Sequence, residues 1–241
     1  MQTTTLSSTP SPFLRGLTDG LPLAVGYAPA AITFGFLAAS THLTMVEAVL
    51  MSMLVFAGAA QYMALNLIAL STGVLEIILT TFVVNIRHLL MSISLNEKAE
   101  KDHPLKKAGY AFGITDEVFT VTSTKEAPVP TGYITGVFLM AYMSWVVNTA
   151  LGHVGGALLP EVLQQSMVIA LYALFLALLA PAMRSSRKVI SLAVLAAGLN
   201  AAFGLVIAEG WAIIAATLTA SVIVEMIVPL EQSDNRKESE P

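Results

Sequence analysis

Asparagine, arginine, histidine and paired carboxylates interrupt stretches that are otherwise apolar, and much of their spacing is helical. In TTFVVNIRHLLMSISL, Thr81, Asn85, His88 and Ser92 recur at i, i+4, i+7 and i+11, which aligns them on one stripe of an α-helix. Arg87 sits about 100° from His88 on that wheel and too deep in the run to snorkel to either surface. It therefore needs a carboxylate or carbonyl partner. Such a stripe suits a path for a polar solute or a proton, since histidine titrates near neutral pH. The same residues can also simply cement helices together.

Three further segments carry polar or helix-breaking residues. In VFAGAAQYMALN, Gly58 and the alanines after it permit close backbone approach ahead of Gln61, Tyr62 and Asn66. An unpaired amide in hydrocarbon costs several kcal/mol, so Gln61 must find partners. In LPLAVGYAPAAITFG, Pro22, Gly26, Pro29 and Thr33 repeat the i, i+4, i+7, i+11 spacing, so one face is small and short of backbone donors. The expectation is a kinked or discontinuous helix whose freed carbonyls line a cavity. Asp116 and Glu117 stand side by side in AGYAFGITDEVFTVTS. There they can either carry a proton, each raising the other's proton affinity, or lock onto Arg87 and nearby lysines.

Soluble chemistry finds little support. HExxH, GxSG, GxxxxGK and GxGxxG are missing, and His42, His88, His103 and His153 do not pair at ligand spacing, so no metal site and no cofactor is expected. Cysteine is absent, which removes disulfides and thiolate chemistry. A membrane-embedded enzyme would have only Asp116 and Glu117 beside His88 to work with, and a passive small-solute channel would need a continuous polar lining. GxxxG pairs at Gly109/Gly113, Gly132/Gly136 and Gly152/Gly156 carry little weight in a chain with 16 glycines.

The elements that position these residues follow from composition. Hydrophobic residues make up 56% and charged residues 12%, against about a quarter charged in soluble domains. Mean hydropathy is +0.75 and the net charge −4, with no basic nucleic-acid footprint. Runs near the roughly 20 residues needed to cross a bilayer fall at Leu21–Ala39, Ala48–Leu70, Ile77–Leu95, Tyr133–Leu151, Met167–Met183, Val189–Ile207 and Trp211–Val228. This predicts an all-α integral membrane protein of about seven transmembrane helices, some broken. Ala108–Ser123 suits one short, partly inserted segment. The chain divides into an N-terminal tail (1–20), one transmembrane transporter domain (21–230) and a polar tail (231–241). A cleaved signal peptide is not expected.

Basic residues sort the loops. Lys98, Lys101, Lys106 and Lys107, and then Arg184, Arg187 and Lys188, mark two cytoplasmic loops, which places His153–Pro160 outside and the C-terminus in the cytoplasm. With seven crossings the N-terminus falls outside. A re-entrant second segment would return it inside.

Four ordered motifs, LPLAVGYAPAAITFGFLA, MSMLVFAGAAQYMALNLI, LTTFVVNIRHLLMSISL and ITDEVF, resemble the AzlC family, the large subunits of bacterial branched-chain amino-acid exporters. The resemblance implies an inner-membrane permease that exports valine, leucine, isoleucine and sometimes methionine. It also implies a small AzlD-type membrane subunit and the proton gradient as energy source. Carried over residue by residue, it selects Gln61, Asn85, Arg87, His88, Asp116 and Glu117. With Gly26, Pro29, Gly58 and Tyr62 from the residue reading, these are the candidate pathway residues, and His88, Asp116 and Glu117 the candidates for proton coupling.

Overall fold

The computed structural model describes residues 10–158 and 186–227 continuously, with scattered positions between them. The expected span Met167–Met183 lies outside the continuously described residues. Two compact units form: residues 10–71 with 81–158, and residues 72–80 with 186–227. All regular elements among the described residues are helices, apart from an isolated bridge between Ala99 and Val129.

In the first unit α1 spans Pro12–Ser40, opened by Ser11, whose hydroxyl accepts from Leu14 N–H at 3.3 Å. α7 spans Thr131–Gly155. These two helices pack along their length through glycines. A Cβ on Gly16 would strike the Tyr133 carbonyl, one on Gly35 the Thr149 carbonyl, and one on Gly152 the Ile32 carbonyl. Residue numbers rise together along the seam, so α1 and α7 run parallel.

Between them the chain makes two interrupted hairpins. α2 (Met45–Leu54) opens with a capping box between Thr44 and Glu47, and α3 (Gly58–Ala69) follows after a break at residues 55–57. His153 near the end of α7 bonds the Leu43 carbonyl, and Tyr142 at mid-helix donates to the Met53 carbonyl at 3.0 Å. α2 thus descends half the depth of α7. α3 climbs back, because Leu65 packs in one cluster with Ala48, Phe34 and Ala38. The expected span Ala48–Leu70 is therefore a half-depth hairpin in which neither arm reaches the other end.

α4 (Val74–Lys98) returns the chain to the opposite end, where Val129 N–H meets the Lys98 carbonyl at 2.9 Å and Thr131 N–H donates to Glu100 at 2.7 Å. From that end α5 (Pro104–Phe112) rises until Phe112 stacks edge-on against Phe138 and Tyr142. After a break at 113–115, α6 (Asp116–Ser123) returns until the Ser123 carbonyl accepts from Lys98. The partly inserted segment is thus a second hairpin, entering from the other end.

In the second unit α8 spans Arg187–Phe203 and α9 Glu209–Ile227. Glu76, 7% exposed, accepts from the Trp211 backbone N–H at 3.1 Å and so caps the start of α9, and Lys188 pairs with Glu225 at 2.6 Å. Among the described residues four helices are long and apolar enough to cross a bilayer: α1, α4, α7 and α9. The count of about seven is not reached among the described residues, because one expected span is a hairpin, one lies outside them and α8 has 17 residues. Parity changes with it. Parallel α1 and α7, separated by one long antiparallel helix, put the start of α1 at the same end as the basic segment Lys98–Lys107, opposite to the placement that seven crossings gave.

Candidate functional site

The two hairpin breaks meet at Tyr27. This side chain, 8% exposed, packs edge-on against Phe56 in the first break at 6.2 Å and against Trp145 of α7 at 5.4 Å. Its hydroxyl shares a hydrogen bond with Thr115 in the second break at 2.7 Å and donates to the Glu117 carboxylate. Phe56, 4% exposed, closes its side of the centre against Phe138 at 6.0 Å and Tyr142 at 5.3 Å.

Beside this lies a buried polar chain. Trp145 Nε1–H donates to Gln61 Oε1 at 2.7 Å, Gln61 Nε2 to Ser52 Oγ at 3.1 Å, and Ser52 Oγ meets Thr149 Oγ1 at 2.8 Å. Thr149 spends its own proton on the Trp145 carbonyl at 2.9 Å, so Ser52 is the donor in the Ser52–Thr149 bond. Indole only donates, which fixes the orientation of the Gln61 amide. The chain ties both arms of the first hairpin to α7.

Arg87 finds a carboxylate partner, as its depth requires. Its guanidinium pairs with Asp116 at 2.9 Å, with side chains 47% and 35% exposed. α6 therefore begins with two carboxylates held by two different long helices, Asp116 by α4 and Glu117 by α1. His88 is half-buried and within electrostatic reach of Arg87, Asp116 and Glu117. Asn85 Oδ1 is buried with no protein partner among the described residues. Tyr62 donates to the Ala30 carbonyl at 2.6 Å and packs edge-on against Phe34 at 5.6 Å. Gly58 sits under the Trp145 ring, where a Cβ would come within 2.9 Å of it.

Gly26 and Pro29 stand apart from this centre. Both are exposed, and a Cβ on Gly26 would meet nothing within 4 Å. α1 remains one continuous helix through Pro22 and Pro29, so the discontinuity that the spacing suggested is absent there. Ser144 donates to the Ala24 carbonyl at 2.6 Å and Tyr62 to the Ala30 carbonyl, bonds that tie α1 to α7 and α3 rather than replace those that Pro22 and Pro29 remove at Thr18 and Val25.

At the end where α1 and α7 begin, Asp19 holds Lys125 at 2.9 Å and accepts from Tyr133 at 2.7 Å, and these bonds raise the Lys125 ammonium above its ordinary range. In the adjoining loop the His103 backbone N–H, then Lys106, hold the Asp102 carboxyl below the usual carboxylate range. No group of three or more histidine, cysteine or acidic side chains among the described residues is placed to hold a metal ion.

Residue spacing did not single out Tyr27, Thr115, Ser52, Trp145 or Thr149. Tyr27 lies inside the glycine and proline segment but about 100° off its stripe, and Trp145 carries no periodic signal.

Long apolar helices, two interrupted hairpins and a polar centre define a multi-pass helical membrane protein. The sequence model of the AzlC protein family matches residues 22–159, and the chain belongs to that family. An uncharacterized membrane protein of Archaeoglobus fulgidus is 33% identical over 213 residues, 88% of this chain and 93% of that one. The inner membrane protein YgaZ of Escherichia coli is 30% identical over 162 residues, covering 63% of this chain and 66% of that one. The branched-chain amino acid transport protein AzlC of Bacillus subtilis is 28% identical over 140 residues, covering 57% and 55%. No solved structure matches.

Proposed function

We propose that this chain is an inner-membrane permease that exports branched-chain amino acids, namely valine, leucine and isoleucine, with methionine as a further substrate. It works with a small AzlD-type membrane subunit and draws on the proton-motive force. The observation that carries this reading is the meeting of two half-depth hairpins at the middle of the α1–α7 pair. Interrupted helices bring unpaired backbone groups to mid-membrane, which is how many secondary transporters build a substrate site. The name of the Bacillus subtilis relative supports the substrate class.

An amino-acid zwitterion suits the groups present. α3 begins at the centre with no side-chain cap on its first N–H groups, a place for a carboxylate. The unpaired Asn85 Oδ1 offers an acceptor to an ammonium. An aliphatic side chain fits against the aromatic rings around Phe56, and one methylene in such a pocket discriminates by only about 1–3 kcal/mol. Broad aliphatic specificity follows.

The proposed membrane topology has α1, α4, α7, α8 and α9 crossing and the two hairpins re-entrant, and it adds the span expected from the sequence at Met167–Met183, outside the continuously described residues. Both basic loops, the N-terminus and the C-terminus then lie in the cytoplasm. Purified protein in proteoliposomes, with and without the small subunit, should accumulate labelled valine by counterflow. Absence of counterflow for all four amino acids in both preparations would overturn the reading.

A further inference from the structure

Tyr27 touches both hairpin breaks and, unlike the Phe138 ring that also lies between Phe56 and Gly113, does so through a hydrogen-bonding group. Its ring meets Phe56 in the first, and its hydroxyl meets Thr115 in the second and Glu117 just beyond it. The same ring lies edge-on to Trp145, which donates to Gln61 and through it reaches Ser52 on the other arm of the first hairpin. A continuous line of contacts therefore runs from a carboxylate on the hairpin entering from one end to both arms of the hairpin entering from the other.

We propose that Tyr27 is a positioning residue that transmits the ionisation state of Glu117 to the first hairpin, through Trp145 and Phe56. An ionised Glu117 accepts the Tyr27 proton and holds the ring against Trp145. A neutral Glu117 competes as a donor, which frees the phenol to turn its proton elsewhere and loosens the ring between the two aromatic neighbours. Because the side chain is buried, a change in its hydrogen bond is transmitted as a change in packing. This gives a physical route by which a proton at one hairpin alters the opposite one. Its consequence for transport rests on the permease reading, but the linkage itself does not.

Other charged and titratable groups around Glu117 are accounted for. Asp116 on the same helix is paired with Arg87 of α4, and His88 is the remaining titratable group on that side. Lys125, just past α6, is held by Asp19 and Tyr133. Lys106 and Lys107 of α5 are held by Asp102 and Asn96. α7 contributes no acidic or basic side chain other than His153, whose ring bonds the Leu43 carbonyl at the far end.

The test uses Trp145 as its own reporter. The chain has two tryptophans, so Trp211→Phe leaves Trp145 alone, and its emission is followed against pH in detergent and in proteoliposomes. The expected result is a titration step that persists in His88→Gln and Asp116→Asn and vanishes in Glu117→Gln. Tyr27→Phe keeps the ring, and there the step should also be lost, although Glu117 is still present. Wild-type emission independent of pH, a step that survives Glu117→Gln, or a step of full amplitude in Tyr27→Phe would each overturn the proposal. Should Tyr27→Phe fail to fold, the Glu117→Gln result still decides. Valine transport measured on the same proteoliposomes should lose its pH dependence in both variants. Absence of any valine transport would sink the permease reading while leaving the fluorescence result to be judged separately.

Discussion

Arg87 and Gln61 are both polar residues in apolar helices, yet the structure uses them differently. Gln61 is completely buried and has partners on Trp145 and Ser52. Gln61→Ala strands the indole N–H, and a buried donor left without a partner costs about 1–3 kcal/mol. The variant should lose thermal stability in detergent by that order, with Gln61→Glu recovering part of it because a carboxylate oxygen can still accept from the indole. Arg87 and Asp116 are partly exposed, and removing the guanidinium strands no buried donor. Arg87→Ala should therefore insert and melt near wild type while valine transport is lost. Arg87→Lys should restore transport poorly, since a point charge replaces a planar fork. Full transport by Arg87→Ala would remove this arginine from the pathway.

At the scale of elements, glycine positions that look alike in sequence separate by what they face. Gly35 and Gly152 lie where α1 and α7 touch backbone to backbone, and an added Cβ there meets a carbonyl. Gly35→Ala should destabilise by about 1–3 kcal/mol, the usual range for overpacking a fitted contact. Gly26→Ala meets open space and stays in a helix, so it should be neutral or stabilising by up to about 1 kcal/mol. Equal melting losses for the two alanine variants would contradict the α1–α7 seam. The glycine pairs at 132/136 and 152/156 carried little weight in sequence because a short pattern recurs by chance. Packing gave Gly136, Gly152 and Gly156 their meaning, because each faces α1 at a close approach.

For the whole molecule, the direction of α1 relative to α7 makes the topology testable. Single cysteines are readily placed in a chain that has none. Positions 10 and 101 should label with an impermeant thiol reagent only after membranes are opened or inverted, whereas position 155 should label in intact cells. Labelling of position 10 from outside, with 101 protected, would require an odd number of crossings between the N-terminus and that loop, which the parallel pair does not allow.

What the sequence by itself determined is what depends on composition and local period: that the chain is helical and membrane-embedded, where its apolar runs lie, and that Arg87 needed a partner. The charged residues are too few for a soluble surface, and an unpaired arginine cannot remain in hydrocarbon. Its partner was among the carboxylates the sequence offered, yet Asp116 was distinguished from Glu117 only by the fold, since adjacent residues on a helix point about 100° apart. The tertiary structure decided that Ala48–Leu70 turns back at half depth. Hydropathy measures only how apolar a run is, and two short helices joined by a break read the same as one long one. It also decided that Tyr27 joins both hairpins, because contacts between residues 27, 56, 115 and 145 are set by packing across elements and leave no period in the chain.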